Sequence, residues 1–194
     1  AHVSVARPTD PDAWAVALAS VRAARHRGEV SLDEVPAPTR LAPHALALSA
    51  EIFDDEGEEI GSGRFVLLHD PDGQEAWDGD FRVVAFAKAR LEPEMAGDPM
   101  LTEVGWAWLE ESLAAHDAGF HSPSGTVTRT ASQAFGGLAD RPLEGTVEVR
   151  ASWTPSTWDL GRHAEAWTDL VCACAGLAPL PPGVVPLPSP RSRS

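Results

Sequence analysis

The sequence predicts an α+β fold: a five-stranded antiparallel sheet with three helices, in the order α-βββ-α-ββ-α. Three observations carry this expectation. Apolar residues alternate with polar or small ones in five separate runs, the period of a strand. Two Asp-Pro pairs, Asp10-Pro11 and Asp98-Pro99, open stretches with helical periodicity, where the carboxylate caps and the proline suits the first turn. Connections within each group of strands are short, as antiparallel neighbours require.

The elements follow in order. Behind Asp10, Pro11 and Asp12, the residues Trp14, Leu18 and Val21 form the buried stripe of a first helix. Arg22, Arg25, His26 and Arg27 fall in its last turns, where positive charge suits the helix dipole, and Gly28 ends it. Residues 31–43 hold Pro36, Pro38 and Pro43 and read as a connector. Leu46, Leu48, Ala50 and Ile52 then alternate with Ala47, Ser49 and Glu51 in a first strand. An acidic, glycine-bearing turn over 54–63 leads to a second strand, Arg64 to His69, which Asp70-Pro71-Asp72-Gly73 breaks. The third strand, Phe81 to Leu91, places Phe81, Val83, Ala85, Ala87 and Ala89 on one face.

Asp98-Pro99 opens the second helix, which runs to about His116 with Leu101, Trp108 and Leu109 on its apolar stripe. Trp106 lies about 200° from Trp108 around the helix, so this helix meets the sheet on one side and something else on the other. Residues 125–135 and 145–153 supply the fourth and fifth strands. A last helix over about 158–175 buries Leu160, Ala164, Trp167, Val171 and Cys174 and stops at Gly176. Residues 1–177 form one domain, and 178–194 form a proline-rich tail. There is no internal repeat.

The chain has 194 residues with 43% apolar composition, enough to bury a core without a metal or disulfide staple. Its net charge of -14 is unevenly placed: residues 51–122 carry four basic and eighteen acidic side chains, while the flanking thirds balance. Phosphate backbones and anionic lipid surfaces select for basic clusters, so neither nucleic acid nor a membrane is the expected partner. No apolar run reaches the roughly 20 residues of a membrane helix, and no leader is expected. Cys172 and Cys174, at i and i+2 on a helix, point apart and suit a reducing, cytoplasmic setting.

Motifs for common chemistry are absent. Lys88 is the sole lysine and follows no glycine-rich run, which excludes a phosphate-binding P-loop. Gly61-Ser62-Gly63 lacks the rest of a dinucleotide fingerprint. His163-Ala164-Glu165 imitates half of a zinc deaminase motif, but Cys172-Ala173-Cys174 has the wrong spacing for the other half. Asp70, Asp72, Asp78 and Asp80 surround a turn whose glycine comes too early for a calcium loop. No cofactor and no metal are expected.

Two features remain. Val66, Leu68, Val84 and Phe86 lie opposite the face already assigned to the core, so those strands are apolar on both sides. Either helices cover both sides or one side meets another protein, with Trp106 as a further candidate contact. The fourth strand carries Thr126, Thr128, Thr130 and Ser132 on one face, and the fifth carries Thr146, Glu148, Arg150 and Ser152. Arg129 falls on the apolar face of its strand, where an arginine needs a paired carboxylate or lines a cleft. Arg129, Thr128, Thr130, Phe135, Gly136 and Gly137 are the candidate cleft residues.

The stretch Phe81–Val104 (FRVVAFAKARLEPEMAGDPMLTEV), the Gly105-Trp106-Ala107-Trp108 run, SGTVT over 124–128, Phe135-Gly136-Gly137 and Leu180-Pro181-Pro182-Gly183-Val184 together resemble an actinobacterial family of domains of unknown function. That resemblance spans most of the chain and implies a cytoplasmic protein, with no activity attached. The order of elements also resembles the secretion-chaperone fold, whose members are acidic dimers that bind other proteins. The expected function is accordingly a non-catalytic, protein-binding or chaperone-like domain, a homodimer with a possible protein client. The alternative is an enzyme or small-ligand binder with its cleft around Arg129.

Overall fold

The alternating runs become one antiparallel sheet in the computed structural model, which describes residues 13–181 and 183–186. The described residues form six strands, not five, and four α-helices, not three. The strands are β1 (Val30–Val35), β2 (His44–Phe53), β3 (Glu59–Gln74), β4 (Gly79–Leu91), β5 (Phe120–Ser132) and β6 (Glu144–Pro155), in the spatial order β1-β2-β3-β4-β6-β5. The helices are α1 (Ala13–Arg22), α2 (Pro93–Ala96), α3 (Leu101–Ala115) and α4 (Leu160–Cys174). Among the described residues no helix is long and apolar enough to cross a membrane.

The two extra elements have physical reasons. The strand β1 lies inside the stretch expected to be a connector. It pairs with β2 from Val30 opposite Ile52 to Val35 opposite Ala47, and it stops directly before Pro36. As an edge strand it keeps one side in solvent, so Asp33 and Glu34 are tolerated and its apolar alternation is weak. The helix α2 is a single turn started by Pro93, too short for any periodicity to show. Helix α1 ends at Arg22, earlier than expected, and its capping residues Asp10, Pro11 and Asp12 lie outside the described residues. Helix α3 starts at Leu101, with the Asp98 carboxylate accepting a hydrogen bond from the Met100 amide at 2.9 Å just before it.

All four helices lie on one side of the sheet, over Phe65, Leu67, Val83, Ala85 and Val149. Helix α4 is the central one and touches α1, α3 and four strands, so eleven of its residues are buried and only the stripe Arg162, Glu165, Asp169, Ala173 is left partly open. Glycines set how closely it approaches. A Cβ on Gly63 would stand 2.6 Å from the Phe86 carbonyl oxygen and 2.7 Å from a Val171 methyl. That vacancy lets the Trp167 indole donate to the Phe86 carbonyl at 3.0 Å. The Gly61-Ser62-Gly63 run therefore serves helix packing. Past α4 the chain returns towards β1, where the Arg27 guanidinium donates to the Ala178 carbonyl at 2.6 Å and pairs with Glu29 at 3.2 Å.

Candidate functional site

Side chains of strand residues that stand opposite one another share a face of the sheet. The registers thus define the face turned away from the helices, row by row. One row crosses Val66, Val84, Ser152 and Ser124; the next crosses Arg64, Phe86, Arg150 and Thr126; the next crosses Ser62, Lys88, Glu148 and Thr128; the last crosses Arg90, Thr146 and Thr130. At its apolar end, Ala47, Val66 and Leu68 are buried beneath Ala37, Ala42 and Trp77, which fold over the sheet from the connections next to β1 and β4. The cover stops there: Val84 is 40% exposed and Phe86 is half-buried.

Around Phe86 the face is cationic. The Arg150 guanidinium lies over the Phe86 ring at 4.7 Å from its centroid. Glu148 is held between Lys88 at 3.4 Å and Arg150 at 3.8 Å, while Arg64 and Arg90 are exposed. Beside them Arg82 is 8% exposed, and it donates to the Ser122 carbonyl (2.8 Å), Thr154 Oγ1 (2.9 Å) and Ser152 Oγ (2.8 Å). All three acceptors are neutral, and burial lowers the pKa of Arg82 from its ordinary value. Arg64, Arg82, Lys88 and Arg90 are the four basic residues of the acidic stretch 51–122, and all four project from this one face. The alternation that placed Val84 and Phe86 here placed these cations too, so the signal was present in the sequence without being read as a patch.

The other candidate residues do not join one surface. Trp106 lies on the opposite side of the sheet from Val84 and Phe86, packed on Gly125, where any Cβ would collide with the Trp106 ring and the Arg150 carbonyl. Val66 and Leu68 are on the Val84 face but covered. The sheet separates Arg129 from Thr128 and Thr130. Arg129 points to the helix side and donates from Nη1 to the Ala96 carbonyl at 2.6 Å, at the end of α2, whereas the two threonines are exposed on the outer face. Phe135 is 72% exposed in the loop that precedes the turn Gly136–Leu138. A groove of about 450 Å³ between Arg90, Thr130, Thr146 and Leu143 opens at the rim of the cationic face.

Titratable groups elsewhere are committed to the helix layer. His116, at the end of α3, contacts Glu165 at 3.2 Å and Asp169 at 2.6 Å on α4, and these carboxylates raise its pKa to about 9. His163 is fully buried, accepts the Trp153 indole N–H at 3.0 Å, and is pushed down to about 4 chiefly by desolvation. Cys172 and Cys174 are buried thiols pushed up to about 12, the neutral form that makes a poor nucleophile. Among the described residues no group of three or more His, Cys, Asp or Glu side chains is placed to hold a metal ion.

Residues 10–185 match the model of a family described as a protein of unknown function, DUF3000. The chain belongs to that family. No curated protein and no solved structure matches it. For this DUF3000 chain the sheet's outer face is the candidate site, because aromatic, aliphatic and cationic side chains converge there in reach of solvent.

Proposed function

We propose that this chain is a protein-binding domain that docks its partner on the outer face of its sheet. The observation that carries the reading is one-sided cover: among the described residues every helix packs on the same face, leaving Val84 40% exposed and continuous with Phe86 on the other. Apolar side chains set side by side in the middle of a sheet, rimmed by polar ones, have the anatomy of an interaction surface. The commitment of His116, His163 and both thiols to the packed layer favours binding over chemistry. A heterologous partner suits the face better than a second copy. Two-fold packing on this face would set Arg64, Lys88, Arg90 and Arg150 against an identical cationic patch.

The test compares capture by the wild-type chain with capture by Val84→Asp and by Val104→Asp. Val104 is exposed on α3, on the helix side. The expected result is a stoichiometric partner kept by Val104→Asp and lost by Val84→Asp, both variants melting like the wild type. A partner that Val84→Asp retains would place the docking surface elsewhere and end this reading.

A further inference from the structure

We infer that the segment docking on this face is a short acidic peptide with apolar residues among its carboxylates. This deepens the docking reading and rests on it. Charge complementarity is the first argument. In a chain of net charge -14, Arg64, Lys88, Arg90 and Arg150 project from the same face, around Phe86. Glu148 answers only part of that charge, through contacts of 3.4 and 3.8 Å, and the face's other carboxylates in these rows, Asp33 and Glu51, stand towards the β1 edge, opposite Ser49 and Ser62. Arg150 lies over the Phe86 ring and meets Glu148 only at 3.8 Å, beyond hydrogen-bond distance, so its guanidinium keeps donors for a carboxylate in the two-pronged geometry that arginine favours. The register puts Arg64 and Arg150 on either side of Phe86, so a peptide lying along β4 with an apolar residue over Phe86 has a cation within reach on each flank.

The second argument is the size of the patch. From Arg90 to Val84, the exposed part of the face, it extends roughly 20 Å along β4. Each end is bounded by acid. Asp54, Asp55, Glu56, Glu58 and Glu59 crowd the β2–β3 turn and the start of β3, and Asp70, Asp72, Glu75 and Asp78 crowd the end of β3 and the turn into β4. A nucleic-acid strand or a lipid surface is anionic over a longer span and would run across both turns within a Debye length of about 8–10 Å. A peptide of about eight residues fits between them.

Fluorescence anisotropy tests this with three labelled probes at about 50 mM salt, a condition that keeps surface electrostatics visible. They are an eight-residue peptide alternating Asp or Glu with Leu or Phe, its counterpart with Lys at every acidic position, and a uridine oligonucleotide. The expected result is saturable binding of the acidic peptide alone. Arg64→Gln/Arg150→Gln should raise its Kd by about tenfold or more, and added salt should weaken it. No saturation by about 1 mM, an unchanged Kd in the double variant, or tighter binding of the oligonucleotide would each overturn the inference. Two outcomes separate it from the reading beneath it. A lysine peptide that binds and is lost in Val84→Asp ends the acidic assignment and leaves the docking face standing. A captured partner kept by Val84→Asp ends both.

Discussion

Three histidines set how this fold responds to pH, in opposite senses. His116 is an imidazolium between Glu165 and Asp169, with its pKa raised from 6.5 to about 9. Its contribution to stability is full below pH 6.5 and is lost as pH rises towards 9. Glu165 is held below its ordinary value despite burial, by His116 and by the Arg25 amide, so its share is lost only at acidic pH. His163 has the reverse sign. Its pKa is lowered from 6.5 to about 4, so its contribution is present above pH 6.5 and drains away as pH falls towards 4. His26 adds to that acid limb. It contacts Thr168 Oγ1 at 2.7 Å, its Nε2 is buried without a partner among the described residues, and desolvation lowers its pKa. Urea midpoints measured from pH 4 to pH 10 should therefore peak near pH 6.5. Replacing His116 by Gln should flatten the alkaline limb and cost about 1–2 kcal/mol at pH 6, a value discounted because the site is partly open to solvent. A variant that keeps the alkaline slope would show that another group titrates there.

At the scale of elements, the close seat of α4 on the sheet depends on one missing side chain. Gly63→Ala would drive a Cβ into the Phe86 carbonyl, which backbone hydrogen bonding holds in place, and would lever Trp167 off its acceptor. The expected loss is about 3 kcal/mol in a denaturant melt. Gly28→Ala, with nothing within 4 Å of the new Cβ, should be near neutral. Equal effects in the two variants would remove the packing explanation. The same elements show what the sequence made legible. The alternating Leu46, Leu48, Ala50 and Ile52 marked β2, Phe81, Val83, Ala85, Ala87 and Ala89 marked β4, and the stripe Leu160, Ala164, Trp167, Val171, Cys174 marked α4; every one of those residues is buried. The strand β1 escaped because an edge strand needs apolar residues on only one side and its prolines follow at once. The helix α2 escaped because one turn has no period. The placement of Arg129 beside the Ala96 carbonyl depends on where α2 ends, which no local pattern encodes.

Over the whole molecule, charge and core are sorted by the sheet. The helices seal one face, acid gathers in the turns at the strand ends, and cations gather on the open face, so a net charge of -14 coexists with a local site of the opposite sign. Composition alone pointed away from nucleic acid and anionic membranes. Only the pairing of strands shows that the few cations are neighbours. The sealed side also predicts how the fold opens. Cys172 and Cys174 are each 2% exposed on α4, which is walled by the sheet, α1 and α3, so no local fraying of an edge frees them. Their thiols, held near a pKa of about 12, should react with a disulfide reagent far more slowly than a free thiol in native buffer. Reactivity should rise with urea at the same midpoint as the shift in tryptophan fluorescence, since Trp153 and Trp167 share that core. Thiol exposure at lower urea than the tryptophan transition would instead mean that α4 detaches before the sheet unfolds, and that the helix layer is a separate cooperative unit.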